Sequence, residues 1–404
     1  MRFRVGSKWC LILSVATVFA VGCAHADEET PIAPLAPMAG RVDPGLGPGT
    51  RALSSGPGYK GSPSWSPGGD RIAFTVDGYV VDKPTGSGDT VRWTTKDFIA
   101  VDTEWASEET LLILGAAPPA EAEKSAGSLD SLYRAHDGED SLGLQRVGEE
   151  VLAIGPGRGG LIFALGSGPQ ESKLALARGN GEIYRPYTRH IAGRVAALSA
   201  SPDDDEAVLA VRPPNDREIS GLSVFDLRKG EGRQITRLEG NQEILGTPQW
   251  TQQGIYFVAG KKSTSLDSDG SEPLYYLYRV PPSGGAPESA SGVGEDFVAA
   301  TIRVSPDGKW LAVIGRLNPK APTNLYVLDP LTEDFTAVTT NEDMEIKTGP
   351  DDLAWSPGGE SVAIIARGTP STEPEVRAEP ADRLLRDFDN LYEIPVGGPE
   401  DAPR

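Results

Sequence analysis

The sequence predicts an all-β fold: a seven-bladed β-propeller of four-stranded antiparallel blades, with the ring closed by an N-terminal strand. Two observations predict it. A short pattern of strand, Ser-Pro-Gly or Ser-Pro-Asp-Gly turn and second strand recurs along the chain. Helical periodicity is nearly absent from the part that carries these repeats. Repeats of roughly 40 to 50 residues are typical of propeller blades.

The repeat is clearest in three copies, at residues 64–74, 304–313 and 354–364. Proline sets φ for the second position of the turn, and glycine accepts the positive φ that other residues resist. A tryptophan, Trp65 or Trp355, precedes the turn in two of these copies. We expect both tryptophans to be wedged between sheets, because large aromatic side chains are mostly buried.

Weaker copies follow once the spacing is known. The seven anchor residues of the repeats are Trp65, Trp105, Ile154, Ala200, Trp250, Val304 and Trp355. They lie roughly 40 to 54 residues apart, which fits four strands in each blade. Third and fourth strands are predicted at 324–329 and 335–339 in the sixth repeat, and at 222–227 and 233–236 in the fourth. Seven repeats predict seven blades.

The two ends of the chain predict how the ring closes. The last repeat supplies strands around Ala354 and Val362 and a third at 390–394, after which few residues remain. Residues 50–54 lie just before the first anchor, where a fourth strand is expected. Pairing of this segment with the last blade would remove the exposed edges of an open ring. The propeller is therefore predicted at 49–398, with a tail at 399–404.

The N-terminus has the pattern of a secretory signal peptide. Arg2, Arg4 and Lys8 precede an apolar run at 9–21, and small residues follow it. The run is shorter than the roughly 18 residues that a membrane-spanning helix needs. Residues 1–22 are therefore predicted to be a signal peptide, and the protein is expected to be exported.

Two cleavage sites remain open. Residues 20–23 resemble the lipobox of bacterial lipoproteins, in which Cys23 carries the lipid, whereas Ala-His-Ala at 24–26 fits ordinary signal peptidase. We expect lipidation at Cys23 and a membrane-anchored protein that faces the periplasm or the cell exterior. A soluble secreted or periplasmic protein is the alternative. Residues 23–48 are rich in Pro, Ala and Gly and are predicted to form an extended tether.

Charge and cysteine content restrict the partners. The chain has 38 basic and 58 acidic residues and a formal net charge of -20. Such a surface repels phosphate backbones and anionic head groups, so nucleic acid and peripheral electrostatic membrane contact are not expected. The two cysteines, Cys10 and Cys23, lie in the leader and at the candidate lipidation site. The mature domain therefore has neither a disulfide nor a thiol nucleophile.

The Ser-Pro-Asp-Gly turns, together with the strand Leu325-Tyr326-Val327 that follows one of them, resemble the WD-like repeats of the TolB family of bacterial propellers. The resemblance covers about 49–398. TolB proteins have a separate N-terminal α/β domain, and nothing in this sequence corresponds to it. The resemblance implies a scaffold whose protein partners bind at one face or at the rim.

The same repeats occur in the regulatory propeller of prolyl-oligopeptidase-like peptidases. Such peptidases need a Gly-x-Ser-x-Gly turn and a catalytic histidine. The sequence has no such turn, and its histidines are His25 in the leader or tether and His136 and His190 beside predicted strand ends. The acidic segment 267–272 lacks the full spacing of a calcium loop. We therefore expect a non-catalytic binding or scaffold protein without cofactor or metal.

Two other functions stay open at this point: an exported propeller hydrolase or lyase with a site in the central channel, and a glycan- or ion-binding module.

The binding surface is predicted from the long connections between second and third strands, at 116–128, 261–272 and 367–388. In an up-and-down blade these connections share one face with the links between blades, such as 341–351, and the Ser-Pro turns lie on the other. Simple drift in loop length is the alternative explanation. We expect a monomer that binds a protein partner through the basic and apolar residues Arg367, Arg383, Leu384, Leu385, Arg386, Lys261 and Lys262.

Overall fold

The structure is a computed structural model of the whole chain. It describes residues 46–95, 98–116, 131–136, 144–148, 150–157, 160–168, 170–177, 182–184, 187, 189–203, 205–214, 219–238, 240, 242–261, 273–290, 292–341, 344–368 and 388–397. All of them belong to one compact unit, Leu35–Arg404. The predicted signal peptide, Cys23, nearly all of the tether and the tail lie outside these ranges. None of the described segments forms a helix that could cross a membrane.

The described residues form thirty β-strands and no helix. The chain enters through β1 (Arg51–Ala52). Blade 1 consists of β2 (Lys60–Trp65), β3 (Arg71–Val76), β4 (Tyr79–Pro84) and β5 (Val91–Arg92). Blade 2 consists of β6 (Ile99–Ser107), β7 (Thr110–Ala116), β8 (Ser131–His136) and β9 (Gln145–Gly148). Blade 3 consists of β10 (Val151–Gly157), β11 (Gly160–Gly168), β12 (Glu171–Ala177), β13 (Ile183–Tyr184) and β14 (Ile191–Ala192).

The remaining blades have the same order. Blade 4 consists of β15 (Arg194–Ala200), β16 (Glu206–Arg212), β17 (Gly221–Asp226) and β18 (Glu231–Arg237). Blade 5 consists of β19 (Gln242–Thr251), β20 (Gly254–Lys261), β21 (Tyr275–Val280) and β22 (Glu288–Ser289). Blade 6 consists of β23 (Val298–Val304), β24 (Leu311–Arg316), β25 (Asn324–Leu328) and β26 (Phe335–Ala337). Blade 7 consists of β27 (Met344–Ile346), β28 (Leu353–Trp355), β29 (Ser361–Gly368) and β30 (Asp389–Pro395).

Each blade is an antiparallel meander, and the first strand of each repeat is its innermost strand. The ring closes as predicted, because β1 pairs with β30 and so becomes the outer strand of blade 7. Arg51 lies opposite Glu393, and Ala52 lies opposite Tyr392. The predicted fold, a seven-bladed propeller closed by an N-terminal strand, is confirmed.

The serine of the Ser-Pro turn explains why the pattern recurs. In blade 6 the Ser305 Oγ accepts a hydrogen bond from the Trp310 backbone N–H at 2.9 Å and donates one to Asp307 at 2.7 Å. Gly308 has φ 75°, and its N–H donates to the Ser305 carbonyl oxygen at 2.9 Å. A backbone N–H also donates to the serine hydroxyl oxygen in blades 1, 4 and 7, at Ser66, Ser201 and Ser356. The side chain therefore fixes the turn locally.

The anchor tryptophans are wedged between blades, as predicted. Trp65 is 8% exposed and Trp355 is 6% exposed. The indole N–H of each donates to a backbone carbonyl in the preceding blade, of Ala354 for Trp65 and of Arg303 for Trp355. Trp105 makes the same bond to Ser64 at 3.1 Å. Burial and a satisfied indole donor together hold adjacent inner strands at a fixed separation.

The hydrophobic core is divided among the seven interfaces between neighbouring blades. Within the described part of the chain, each of seven apolar clusters joins two adjacent blades. The interface between blades 4 and 5, for example, contains Val208, Leu222 and Phe257. Burial of such faces is the main stabilising term of this fold, and it leaves the inner edges of the blades around a central channel.

The innermost strands are irregular within the few residues before the anchor. The pairing of β6 with β7 shifts between Ala100 and Asp102, and comparable shifts occur in β2, β10, β15, β19 and β23. In blade 7 the insertion is longer, and residues 347–352 separate β27 from β28. The expectation that 341–351 is a link between blades is therefore wrong, because 344–346 already belongs to the inner strand. β-Bulges of this kind re-aim side chains.

Candidate functional site in the central channel

A cavity of about 420 Å³ lies at the channel on the face that carries the Ser-Pro turns. That volume falls within the range of ligand-binding clefts. Its rim includes the exposed turn residues Pro202, Pro306 and Asp307. Its deeper lining comes from the ends of the inner strands of blades 1, 2, 4, 5, 6 and 7, through Ser64, Glu104, Ser199, Gln249, Arg303 and Ala354.

These six residues share one position in the repeat, immediately before the anchor residue. The seventh equivalent is Ala153 in blade 3. Six of the seven equivalent residues line the cavity, whereas Ala153 packs in the apolar cluster between blades 3 and 4. We call the seven equivalent positions the channel ring. Three members are large and polar, namely Glu104, Gln249 and Arg303, whereas the other four are serine or alanine.

Glu104 is held by a neighbouring member of the channel ring. The Ser64 hydroxyl donates a hydrogen bond to Glu104 Oε2 at 3.0 Å. Burial raises the pKa of Glu104, while the positive charge of Arg303 and the bond from Ser64 partly oppose that shift. A carboxyl group with a raised pKa is suited to donating or accepting a proton near neutral pH.

Two further carboxyl groups, Asp102 and Asp351, interact electrostatically with Glu104. Burial and the negative charges of Asp351 and Glu104 raise the pKa of Asp102 well above its usual value. Burial also raises the pKa of Asp351, with Arg303 acting against it. The bulges position both residues: Asp102 follows the irregularity in β6, and Asp351 lies in the 347–352 insertion. Repulsion and burial together favour protonated carboxyls here.

Arg303 is the cationic member of the channel ring. Its Nε donates to the Leu353 carbonyl oxygen at 3.3 Å, and its NH2 group lies 3.7 Å from an oxygen of Asp351. Its own carbonyl oxygen accepts the Trp355 indole bond at 2.8 Å. Blade 7 therefore fixes both the backbone and the side chain of an arginine that blade 6 supplies.

Gln249 is fixed between blades 5 and 6. Its Oε1 accepts a hydrogen bond from the Val304 N–H at 3.0 Å, and its Nε2 donates to the Thr247 carbonyl oxygen at 3.2 Å. Gln249 is 1% exposed. The ring thus combines a titratable carboxyl at Glu104 with a fixed cation at Arg303, which is a combination suited to proton transfer and charge stabilisation. In the described part of the chain no three His, Cys, Asp or Glu side chains are placed to hold a metal ion.

Two of the residues predicted to bind a partner, Arg367 and Lys261, are described, and neither lines the cavity. Arg367 pairs with Asp389 at 2.8 Å and lies 5.8 Å from the centre of the Tyr59 ring. Lys261 is exposed at the end of β20. Blade 6 separates their two blades, so the structure does not bring Arg367 and Lys261 together. The other predicted residues, Lys262, Arg383, Leu384, Leu385 and Arg386, and the lipidation site Cys23 lie outside the described residues.

The channel ring was not predicted from the sequence, although a signal was present. The residue before the anchor is serine or alanine in four of the seven repeats and large and polar in the other three. Aligning the repeats on their anchors would have brought Glu104, Gln249 and Arg303 to one position. Their separation along the chain hides the relationship until the ring is closed.

One surface cluster contains the residue types of a hydrolytic triad. The Ser167 hydroxyl lies 3.1 Å from His190 Nδ1, and Glu171 lies 2.9 Å from the same nitrogen. A triad needs the serine and the carboxylate on opposite ring nitrogens. The exposed His190 cluster therefore does not have the geometry of a serine hydrolase.

Comparisons of sequence give no family: no family model matches the chain, and no curated protein matches it in sequence. Comparisons of structure give propellers. An oligogalacturonate lyase from Vibrio parahaemolyticus aligns with a TM-score of 0.51 at 12% identity, over 86% of this chain and 93% of that one. TolB from Acinetobacter baumannii aligns with a TM-score of 0.40 at 16% identity, over 72% and 64%. A puromycin hydrolase mutant aligns with a TM-score of 0.48 at 12% identity, over 77% and 50%.

These comparisons correct the functional expectation. A non-catalytic scaffold was predicted because the chain has no nucleophile turn and no hydrolase domain. That prediction is wrong, because the protein that aligns with a TM-score of 0.51 is a lyase. The absence of a Gly-x-Ser-x-Gly turn therefore does not exclude an enzyme. Membership of the TolB family stays a prediction.

Proposed function

We propose that this protein is an exported enzyme that cleaves glycans, as a lyase or a hydrolase, at the channel ring. One observation carries the proposal: Glu104 and Arg303 line the same cavity, and the environment of Glu104 raises the pKa of its carboxyl group. Cleavage of a glycosidic bond requires a proton donor or acceptor beside the sugar and stabilisation of the charge that develops. The two residues supply these two functions.

Glu104 is the proposed proton-transfer residue, because it lines the cavity and its carboxyl oxygen is held by Ser64. Asp351 acts through its negative charge, which raises the pKa of Glu104 and so disfavours loss of its proton. Arg303 is the proposed charge-stabilising residue. It is fixed before substrate arrives, which lowers the reorganisation needed in the transition state.

The lyase of similar structure supports glycan cleavage as the class of reaction, because its alignment with this chain covers 93% of the lyase. The cavity volume of about 420 Å³ suits a short saccharide. Export is part of the proposal and rests on Arg2, Arg4 and Lys8 before the apolar run at 9–21. Anchoring through Cys23 remains a proposal of the same kind.

The test is a screen of the chain without residues 1–23 against neutral and acidic oligosaccharides. Ultraviolet absorbance of unsaturated products detects a lyase, and new reducing ends without that absorbance detect a hydrolase. We expect turnover with the wild type and a loss of about 100-fold or more with Glu104→Gln, which keeps the shape of the side chain but cannot exchange a proton. Binding without turnover of any saccharide would replace the enzyme with a glycan-binding module.

A further inference from the structure

Arg303 has more hydrogen-bond donors than acceptors around it. The guanidinium group carries five N–H donors. Among the described residues it makes one hydrogen bond, from Nε to the Leu353 carbonyl oxygen at 3.3 Å, and one loose ion pair, with Asp351 at 3.7 Å. A distance of 3.7 Å is too long for a hydrogen bond. Most of the donor capacity of Arg303 is therefore unused by these residues.

The side chain is nevertheless mostly removed from solvent, with 18% of its surface exposed. A buried charge is unfavourable unless it is paired and hydrogen-bonded. Of the described residues that line the cavity, Arg303 is the one cation. The unused donors therefore belong to a group that borders the cavity, where a ligand can supply the missing acceptors.

The charged groups around Arg303 come from three blades. Asp102 and Glu104 approach from blade 2, and Asp351 approaches from blade 7. Asp307, in the turn of its own blade, is paired with Lys309 at 2.9 Å. None of these carboxyls makes a hydrogen bond to the guanidinium group of Arg303, so its N–H donors stay available on the cavity side.

We propose that Arg303 determines the specificity of the channel site by pairing with a carboxylate of the bound saccharide, so that the substrate is an acidic sugar. This inference rests on the proposed function for the identity of the ligand as a saccharide. A planar carboxylate accepts two parallel N–H bonds from a guanidinium group, which a hydroxyl of a neutral sugar does not. The net negative surface of the protein opposes this pairing weakly, because charges more than about 8 Å away are screened at physiological salt.

The test measures binding of three matched probes by calorimetry: a galacturonic acid disaccharide, a neutral galactose disaccharide and a sulfated galactose disaccharide. We expect the wild type to prefer the carboxylate probe. Arg303→Gln is expected to lower affinity for that probe at least about tenfold and to leave the neutral probe unchanged, because a charge-assisted bond is worth more than about 1.4 kcal/mol. Arg303→Lys, which keeps the charge without the planar fork, is expected to give an intermediate loss.

Lys309→Gln is the matched control, since it removes a cation from the rim of the same blade, and it is expected to retain wild-type affinity. Thermal melting of each variant verifies folding. Equal wild-type affinity for the carboxylate and neutral probes, preference for the sulfate, binding of no probe, or full affinity in folded Arg303→Gln would each overturn the inference. Cleavage of neutral and acidic glycans at equal rates, with equal dependence on Arg303, would overturn it but leave the proposed function intact. Carboxylate binding without any cleavage would contradict the proposed function but leave the inference about Arg303 intact.

Discussion

The Ser64 hydroxyl donates a hydrogen bond to Glu104 Oε2 across the boundary between blades 1 and 2, at 3.0 Å. Both residues occupy the position before the anchor in their repeats, and the Ser64 carbonyl oxygen also accepts the Trp105 indole bond at 3.1 Å. Ser64 therefore joins the two blades and also supports the proposed proton-transfer residue. The electrostatics of the site depend on how accurately the blades are joined.

Ser64→Ala is expected to raise the pKa of Glu104 further, because the hydroxyl stabilises the charged carboxylate and its loss leaves the effect of burial less opposed. Titration of the Glu104 carboxyl carbon by NMR measures the shift directly. Ser199→Ala is the matched control, since Ser199 has the same position in blade 4 but donates to the Pro248 carbonyl oxygen. A Glu104 titration that is unchanged in Ser64→Ala would contradict the assignment.

The blades could be predicted from the sequence because their determinants are local. Ser305, Asp307 and Gly308 lie within four residues of each other, and the turn that they form is recognisable in any repeat that retains them. The closing strand was also predictable, because the last repeat lacks a fourth strand. The turn joins sequence neighbours, whereas the closing pair Arg51 and Glu393 is 342 residues apart and could be predicted only from the missing strand.

The channel site could not be predicted in the same way. Glu104 and Arg303 lie almost 200 residues apart, and only the closed ring brings them to one cavity. Asp351 was assigned to a link between blades because the Gly-Pro-Asp-Asp segment has the composition of a loop. The structure places that segment as an insertion within the inner strand, where its carboxyl group approaches Arg303. The strands before and after the insertion, β27 and β28, both pair with β29, which makes the insertion part of the inner strand. The local sequence of the segment does not show this pairing.

Ring closure predicts unequal effects for two neighbouring residues of the N-terminal segment. The hydroxyl of Ser54, which is 4% exposed, accepts a hydrogen bond from the Leu391 N–H at 2.8 Å. Ser54→Ala leaves that buried N–H without its partner and is expected to lower the free energy of unfolding by about 1 to 3 kcal/mol. Arg51→Ala removes an exposed ion pair with Glu393 and is expected to change it by less than about 1 kcal/mol.

Urea denaturation of both variants measures the difference. Deletion of 49–55 is expected to have a larger effect than either substitution, seen as a clearly lower melting temperature, because it exposes the edge of β30. A ring that is equally stable without this segment would show that β1 does not close it.

Asp102→Asn is expected to stabilise the protein relative to the wild type at neutral pH. Burial and nearby negative charge raise the pKa of Asp102 in the folded state, so the folded chain holds a proton that the unfolded chain loses above about pH 4. Wild-type stability therefore falls as pH rises from that value toward the raised pKa. Asparagine does not ionise, and the advantage of the variant is expected to grow with pH across the same window.

Asp307→Asn is the control, because its effect on stability is expected to depend on pH in the opposite direction. Burial of Asp307 is outweighed by its bonds from Ser305 and Lys309, which lower the pKa of its carboxyl group. The stabilisation from Asp307 is present above the ordinary carboxyl pKa and is lost as pH falls through the lowered one. Urea denaturation at several pH values measures both slopes, and a constant difference between Asp102→Asn and the wild type would refute the explanation.

Lys60, at the junction between blade 7 and blade 1, is expected to give a second pH dependence of stability. Its side-chain nitrogen donates to the carbonyl oxygens of Gly56 at 2.9 Å and Asp389 at 2.7 Å, and the residue is 9% exposed. Burial lowers the pKa of Lys60 to about 8, although the charges of Asp389 and Asp77 oppose the shift. Between that value and the usual lysine pKa of 10.5, the unfolded chain holds a proton that the folded chain has released.

Because the unfolded state then binds more protons, the contribution of Lys60 to stability rises as pH increases through this window and is constant below it. Lys60→Met keeps the length of the side chain but removes both the titration and the hydrogen bonds to the two carbonyl oxygens. The wild type is therefore expected to gain stability relative to Lys60→Met above about pH 8, with a flat difference between about pH 6 and 7 as the internal control. Thermal denaturation of the two proteins across this range measures the difference, and a difference that shrinks or stays level above pH 8 would show that the ammonium group of Lys60 is not disfavoured by burial at the ring closure.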